Sequence, residues 1–261
     1  MEQVTVRQSD ILDLARQYGR VEVDWLADRF DMTPQTIRRD LNDLCDRGML
    51  RRVHGGATYP TSVSNYAYDS RRVLASDAKR RIGERTATLI PDHSSIMLNI
   101  GTTTEQVAMA LVRHQGIMAV TNNINVAHIL REAPSAEVII AGGLVRPGDG
   151  GIVGEATVSF IRQFKVDYAV IGASAIDEEG TILDFDFREV SVSREIIAHA
   201  KKTILVADFM KFERTAPVRI GSLTEMDVFV TDQDPPQPII ELCHNHSVRL
   251  EITGESAQEV A

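Results

Sequence analysis

Apolar positions near the start of the chain recur at three- and four-residue spacing, and beyond residue 90 they gather into short runs. Ile11, Leu12, Leu14 and Ala15 mark one side of a helix from about Arg7 to Tyr18, which Gly19 stops. Val21 and Val23 make a short extended step before a second helix at Asp24. The run from Trp25 to Leu41 then describes that helix, a tight turn and a third helix opening at Thr33-Pro34. Thr33 suits an N-cap, and Pro34 suits the first helical position, where no N–H is needed. Ile37, Leu41 and Leu44 face inward, which leaves Gln35, Thr36, Arg38 and Arg39 outward on the first turns. Gly48 to Ala57, with Arg51-Arg52-Val53-His54-Gly55-Gly56 at its centre, is a short basic hairpin with a glycine turn.

Such a pattern describes a winged helix-turn-helix over residues 1–57. The N-terminal end of its third helix enters the major groove of double-stranded DNA. Candidate contacts are Thr33, Gln35, Thr36, Arg38 and Arg39 on the helix and Arg51, Arg52 and His54 on the wing. An ordinary αα-hairpin with a solvated arginine pair explains the helices alone. Basic pairs on both elements that must approach DNA weigh against it.

Residues 58–70 are polar and aromatic without period, and we read 58–76 as a linker. From Asp77 a helix with Lys79, Arg80, Arg81 and Arg85 on its exposed side runs to Ile90, before a Pro91-Asp92 turn. The remainder alternates apolar strands with helices. Strands are expected at Ser95–Ile100, Met118–Thr121, Glu137–Ala141, Tyr168–Gly172, Thr203–Ala207 and Val228–Thr231. Helices are expected at Thr104–His114, Asn125–Glu132, Ala156–Gln163, Phe187–Ala200 and near Leu223. The fold class is therefore α/β: a small winged head joined to a larger domain, 77–261, with a mainly parallel sheet.

Composition adds a constraint and removes several classes. Of 261 residues 43% are hydrophobic and 25% charged, as in a globular protein with a sizeable core. No run approaches the roughly 18 apolar residues of a membrane span. The polar, acid-containing start does not resemble a signal peptide. Cys45 and Cys243 form no metal or disulfide pattern, so we expect a reducing cytoplasm and neither metal nor cofactor. A net charge of −9 is ill-suited to DNA until it is divided. Nine Lys+Arg against ten Asp+Glu leave residues 1–57 at −1; six against three leave 58–85 at +3; thirteen against 24 leave 86–261 at −11. Screening limits reach to about 8 Å at physiological salt, so placement outweighs the total. A near-neutral head still binds weakly as a single copy. Paired half-sites bound by a homo-oligomer, dimer or tetramer, supply the rest.

Polar clusters sit at the expected strand ends, where open α/β sheets bind ligands. Asn99-Ile100-Gly101-Thr102-Thr103-Thr104-Glu105 runs into a helix start whose free N–H groups and hydroxyls suit a phosphate. It lacks the Lys-Ser/Thr ending of a P-loop, which argues against nucleotide hydrolysis. Thr121-Asn122-Asn123 offers amides for hydroxyls, and Gly142-Gly143 to Arg146 offers a charge, followed by a glycine-rich stretch through Gly151. Asp184-Phe185-Asp186-Phe187-Arg188-Glu189 and Asp208 to Phe212, with Lys211, complete the set. Each alone is a capped helix, a turn or a surface feature. Converging on one sheet edge, they make a pocket for a small phosphorylated polyol, with Gly101, Thr102, Thr103, Thr104, Asn122, Asn123, Gly143, Arg146, Gly151, Asp184, Glu189 and Lys211 as candidate contacts.

Thr36-Ile37-Arg38-Arg39-Asp40-Leu41 with His54-Gly55-Gly56-Ala57 resembles the head of the DeoR family of bacterial transcription repressors. Gly101-Thr102-Thr103, Thr121-Asn122-Asn123, Gly142-Gly143 and Asp208 to Phe212 resemble its sensor domain. That resemblance, from Arg7 to about Asp232, implies a ribose-5-phosphate-isomerase-like sensor and no enzymatic activity. Asp149 to Thr157, Thr121 to Ala127 and Leu183 to Asp186 are similar to family members that govern glycerol metabolism. They imply release from DNA by glycerol 3-phosphate, relayed through the 77–90 helix and the linker. Asn99 and Met210 depart from the family pattern, which often has Asp and Ser there. Two other readings remain open on the residues: an activator with the same head, and a sugar-phosphate isomerase with a regulatory head. In the isomerase, Asp184 or Glu189 would be the base and Lys211 the electrophile.

Overall fold

Thr5 opens the first helix by accepting the Gln8 N–H on its hydroxyl, while the Gln8 side chain accepts the Thr5 N–H in return. The computed structural model describes residues 5–47, 49–59, 68–73 and 75–254. Gly48 of the expected wing, residues 60–67 of the expected linker and the tail from 255 lie outside them. The chain divides into two units, Met1–Leu74 and Ala75–Ala261.

In the first unit α1 (Val6–Tyr18) is followed by β1 (Arg20–Glu22), α2 (Val23–Phe30), α3 (Pro34–Asp46), β2 (Arg51–Val53) and β3 (Gly56–Thr58). The strands form an antiparallel sheet in the order β1-β3-β2. Ile11, Leu14 and Ala15 meet Leu26, Ile37, Leu41 and Leu44 in one buried core, so the inward faces read from spacing are the faces that pack. This is a winged helix-turn-helix. Within the segment read as linker, Tyr68–Val73 forms a short helix, α4.

The second unit runs α5 (Ser76–Thr88), β4 (Ser95–Leu98), α6 (Thr102–Leu111), β5 (Met118–Thr121), α7 (Ile124–Leu130), β6 (Glu137–Ile140), β7 (Leu144–Val145), β8 (Ile152–Val153) and α8 (Glu155–Ile161). It continues with β9 (Val166–Gly172), β10 (Ala175–Ile176), β11 (Thr181–Asp184), α9 (Phe187–Ala198), β12 (Ala200–Val206), β13 (Val218–Ser222), β14 (Val228–Thr231), α10 (Gln237–Asn245) and β15 (Arg249–Ile252). Seven strands make a parallel sheet in the order β15-β14-β12-β9-β4-β5-β6. Alternate side chains feed two cores. Ile96, Leu98, Ala119 and Val170 pack with Val107, Leu111 and Val126 of α6 and α7 on one face. Met97, Val120, Ile171 and Leu205 pack with Val158, Val190 and Ile196 of α8 and α9 on the other. All six expected strands are found; the inner ones, buried on both faces, read as continuous apolar runs, while β6 at the sheet edge is partly exposed.

Three features depart from the sequence reading. Lys79 is buried, not exposed, because helical spacing sets it with Ile82, Gly83 and Thr86 on the inner face of α5. A small antiparallel sheet, β10-β11-β13, and a β7-β8 hairpin lie beyond the parallel sheet. Residues after Thr231, where no element was expected, supply α10 and the edge strand β15.

Candidate nucleic-acid interface and effector site

In the first unit Thr33 caps α3, its hydroxyl accepting the Thr36 N–H at 3.3 Å and lying 2.9 Å from the Thr36 hydroxyl. Gln35, Arg38 and Arg39 are exposed and Thr36 is half-buried, all on the first turns of α3. Arg51, Arg52 and His54 are exposed on β2 and the wing turn. Two buried residues outside the expected set hold these elements in place. Asp40 on α3 accepts Arg7 Nε at 2.6 Å, tying α3 to α1. Arg20 on β1 donates from Nη2 to the His54 carbonyl at 2.8 Å, fixing the wing turn. Neither could be found from helical spacing, since each joins residues more than thirty apart.

In the second unit β4 lies between β5 and β9, where the strand order reverses. Connections leaving β4 and β9 lead to α6 and α9 on opposite faces of the sheet. Such a switch point opens a crevice at the strand C-termini. Asn99 spans it: its Oδ1 accepts the Gly172 N–H at 3.0 Å and its Nδ2 donates to Ser193 Oγ at 3.3 Å. Gly101 to Thr104 begin α6 directly after β4. Thr102 and Thr103 stand on its first turn with their N–H groups ahead of the helical ladder. Thr104 is fully buried and its hydroxyl donates to the Asn99 and Gly101 carbonyls, so it closes the turn.

Asn122 and Asn123 follow β5. Asn122 Nδ2 donates to the Ile152 carbonyl at 3.0 Å, while its buried Oδ1 has no hydrogen-bond partner among the described residues. Asn123 caps α7 and bridges Gly151. A side chain at Gly151 would place its Cβ 2.4 Å from Ile100 Cδ1, so glycine lets this loop close on the end of β4. Gly143 lies against Thr157. Glu105, buried on α6, gathers the amides of Asn123 and Asn125 at 3.4 and 3.0 Å. Glu105 and Asn125 were absent from the expected contacts, although both stand in the loops that raised the expectation.

Arg146 is the best-connected charge in this unit. Asp149 grips it at 2.9 and 2.6 Å, Glu189 at 2.6 Å and Asp186 at 3.3 Å. Burial opposes its charge, but the hydrogen bond to Asp149 and the charge of Glu189 outweigh that and hold the guanidinium firmly protonated. Burial and the nearby Asp184 carboxylate push Glu189 up to about 8, against the pull of Arg146. Asp186 turns mainly to Arg188, whose hydrogen bond draws its carboxyl down to about 2. Asp184 accepts Ser174 Oγ at 2.9 Å. Lys211 is buried on a 3-10 turn (Phe209–Glu213) after β12. The structure thus joins Gly101, Asn122, Asn123, Gly151, Arg146, Asp184 and Glu189 in one neighbourhood.

Residues 7–63 match the DeoR-like helix-turn-helix domain and residues 74–233 the DeoR C terminal sensor domain. The chain belongs to the DeoR family. It is 41% identical to the glycerol-3-phosphate regulon repressor of Escherichia coli (strain K12), over 95% of this chain and 98% of that protein. It is 44% identical to the repressor of the same name from Haemophilus influenzae, over 94% and 96%. Ribose 5-phosphate isomerase A from Neisseria gonorrhoeae is similar over 51% of this chain and 52% of its own, at 15% identity and a TM-score of 0.36. Relatives matching both units at full length are repressors, which sets the isomerase reading aside.

Proposed function

We propose that this chain represses genes of glycerol 3-phosphate metabolism and leaves its operator when glycerol 3-phosphate binds the larger unit. The observation that carries the reading is 41–44% identity, across both units, to repressors named for that regulon. Gln35 and Arg38 read base edges, with Thr33, Thr36 and Arg39 beside them, while Arg51, Arg52 and His54 grip the flanking backbone. Because the head is near neutral, operator binding uses two heads of a homo-oligomer on paired half-sites, acting in the cytoplasm. Thr102 and Thr103 at the start of α6, together with the Arg146 guanidinium, receive the phosphate, and the amides at the end of β5 hold the hydroxyls. An inducer must bind the DNA-free and DNA-bound states unequally, since equal affinity shifts nothing.

Fluorescence anisotropy on DNA from upstream of the host's glycerol-catabolism genes tests this. Titrating glycerol 3-phosphate into the preformed complex is expected to release the DNA, with free glycerol inert. Tight binding without release would overturn the inducer, and absence of binding at low salt would overturn the regulon.

A further inference from the structure

The residues around Arg146 form a lock that is already closed. Its guanidinium is a cation in the polar neighbourhood of the switch point, yet the carboxyl groups of Asp149 and Glu189 occupy its donors at 2.6–2.9 Å. Asp149 belongs to the same loop as Arg146 and also accepts the Gly151 N–H at 3.2 Å, so it shapes the loop. Glu189 comes from α9, 43 residues further on, and fastens the 146–151 loop to the first turns of that helix. Asp186, which caps α9 and is held by Arg188 at 2.8 Å, lies at the edge of the cluster. The Arg146 guanidinium is thus met by the carboxyls of Asp149, Glu189 and Asp186, with Asp184 beside Glu189. A phosphate dianion brought to Arg146 would face those carboxyls at close range unless one of them yields.

We infer that Glu189 stands, in the effector-free chain, where the effector's phosphate takes its place on Arg146, so that binding exchanges carboxylate for phosphate and frees the 146–151 loop from α9. Resting on the proposed function, this names how its site is regulated: the chain carries an internal competitor for its own inducer. Asp149 remains as the loop's brace, while Glu189 at 2.6 Å is the shorter of the two ties from Arg146 to α9, the other being Asp186 at 3.3 Å, so its departure loosens the join. Its burial beside Asp184 makes its ionised form costly and its departure easier. Of the charged groups facing it, Asp184 on β11 and Asp149 on the loop favour the neutral acid. Arg146 favours the carboxylate.

Isothermal titration of the full-length protein decides this, with glycerol 3-phosphate and inorganic phosphate run in parallel on wild type and Glu189→Gln. The amide keeps the shape and a hydrogen-bond acceptor for Arg146 but removes the competing charge. At about pH 9, where Glu189 is ionised, about tenfold tighter binding is expected in the variant, because the competing charge is gone; a residue that merely supported the site would give weaker binding. Wild-type affinity is further expected to fall several-fold from about pH 7.5 to 9, as Glu189 ionises while the phosphate monoester is already a dianion. Glu189→Gln should remove that slope. Tighter phosphate binding in the variant, with glycerol 3-phosphate ignored by both proteins, would keep the lock and overturn the inducer. Equal or weaker binding of both ligands in the variant would overturn the lock and leave the inducer standing. Failure of both ligands to bind either protein would overturn the lock as well.

Discussion

Asp167 shows how much a single side chain can organise. It stands near the start of β9 and accepts both the N–H and the hydroxyl of Ser95 on β4, at 3.0 and 2.7 Å. On its other side it accepts Lys201 Nζ of β12 at 2.8 Å. Those hydrogen bonds, from Lys201 first and then Ser95, hold its carboxyl well below the usual carboxylate range. A depressed acid contributes stability that is full above its unfolded value, near pH 4, and is lost as pH falls toward its folded value. The side chain is over a third exposed, so screening keeps the effect modest. Asp167→Ala should cost about 1–2 kcal/mol in urea unfolding at neutral pH. The gap should narrow below about pH 4, and a gap that ignored pH would assign the loss to packing. Arg146 teaches the complementary lesson. A cation after the Gly142-Gly143 turn was legible in the sequence, but Glu189 as its partner was not. Ion pairs between distant loops are products of the fold and leave no periodic trace.

At the scale of elements, α5 and α6 meet more closely than side chains allow. A Cβ on Gly83 would lie 2.6 Å from the backbone carbonyl of Gln106. In an exposed helix, replacing glycine with alanine gains up to about 1 kcal/mol. Here the overlap is with backbone, which cannot rotate away, and overpacking costs about 1–3 kcal/mol. Gly83→Ala is therefore expected to lower the melting temperature, and a rise would mean that the two helices separate freely. Nothing in the sequence marks Gly83 as a contact point, because its neighbour arrives from another helix. The longer elements were legible for physical reasons: strands buried on both faces form runs, and helices with one buried face show a period. β10 and β7, two residues each, are too short to show either, and β13 carries a register shift against β11. β15 alternates Arg-Leu-Glu-Ile at the edge of the sheet, half polar as an edge strand is, and its sequence alone resembles a loop.

For the molecule as a whole, charge and connectivity divide along the same line. The larger unit, Ala75–Ala261, holds 17 Lys+Arg against 26 Asp+Glu, a net −9, so it is repelled by nucleic acid and specific contact falls to the near-neutral head. The strand pairings of the two units also differ in reach. In the head the most distant partners are Arg20 and Thr58. In the larger unit β4 must wait for β9, Ile96 pairing with Tyr168, and the sheet is complete only when β15 joins β14. Long-range parallel pairing is slow to form, and domains fold as units from the N-terminus during synthesis. Pulsed hydrogen exchange during refolding should find amides of α2 and α3 protected before those of β9 and β14; simultaneous protection would mean that the units fold together. Made in this order, a chain still on the ribosome carries a finished DNA reader before the part that answers to a metabolite exists. On the proposed reading a lone nascent head holds a half-site only weakly, so the reader is finished first but takes up its operator only once copies pair.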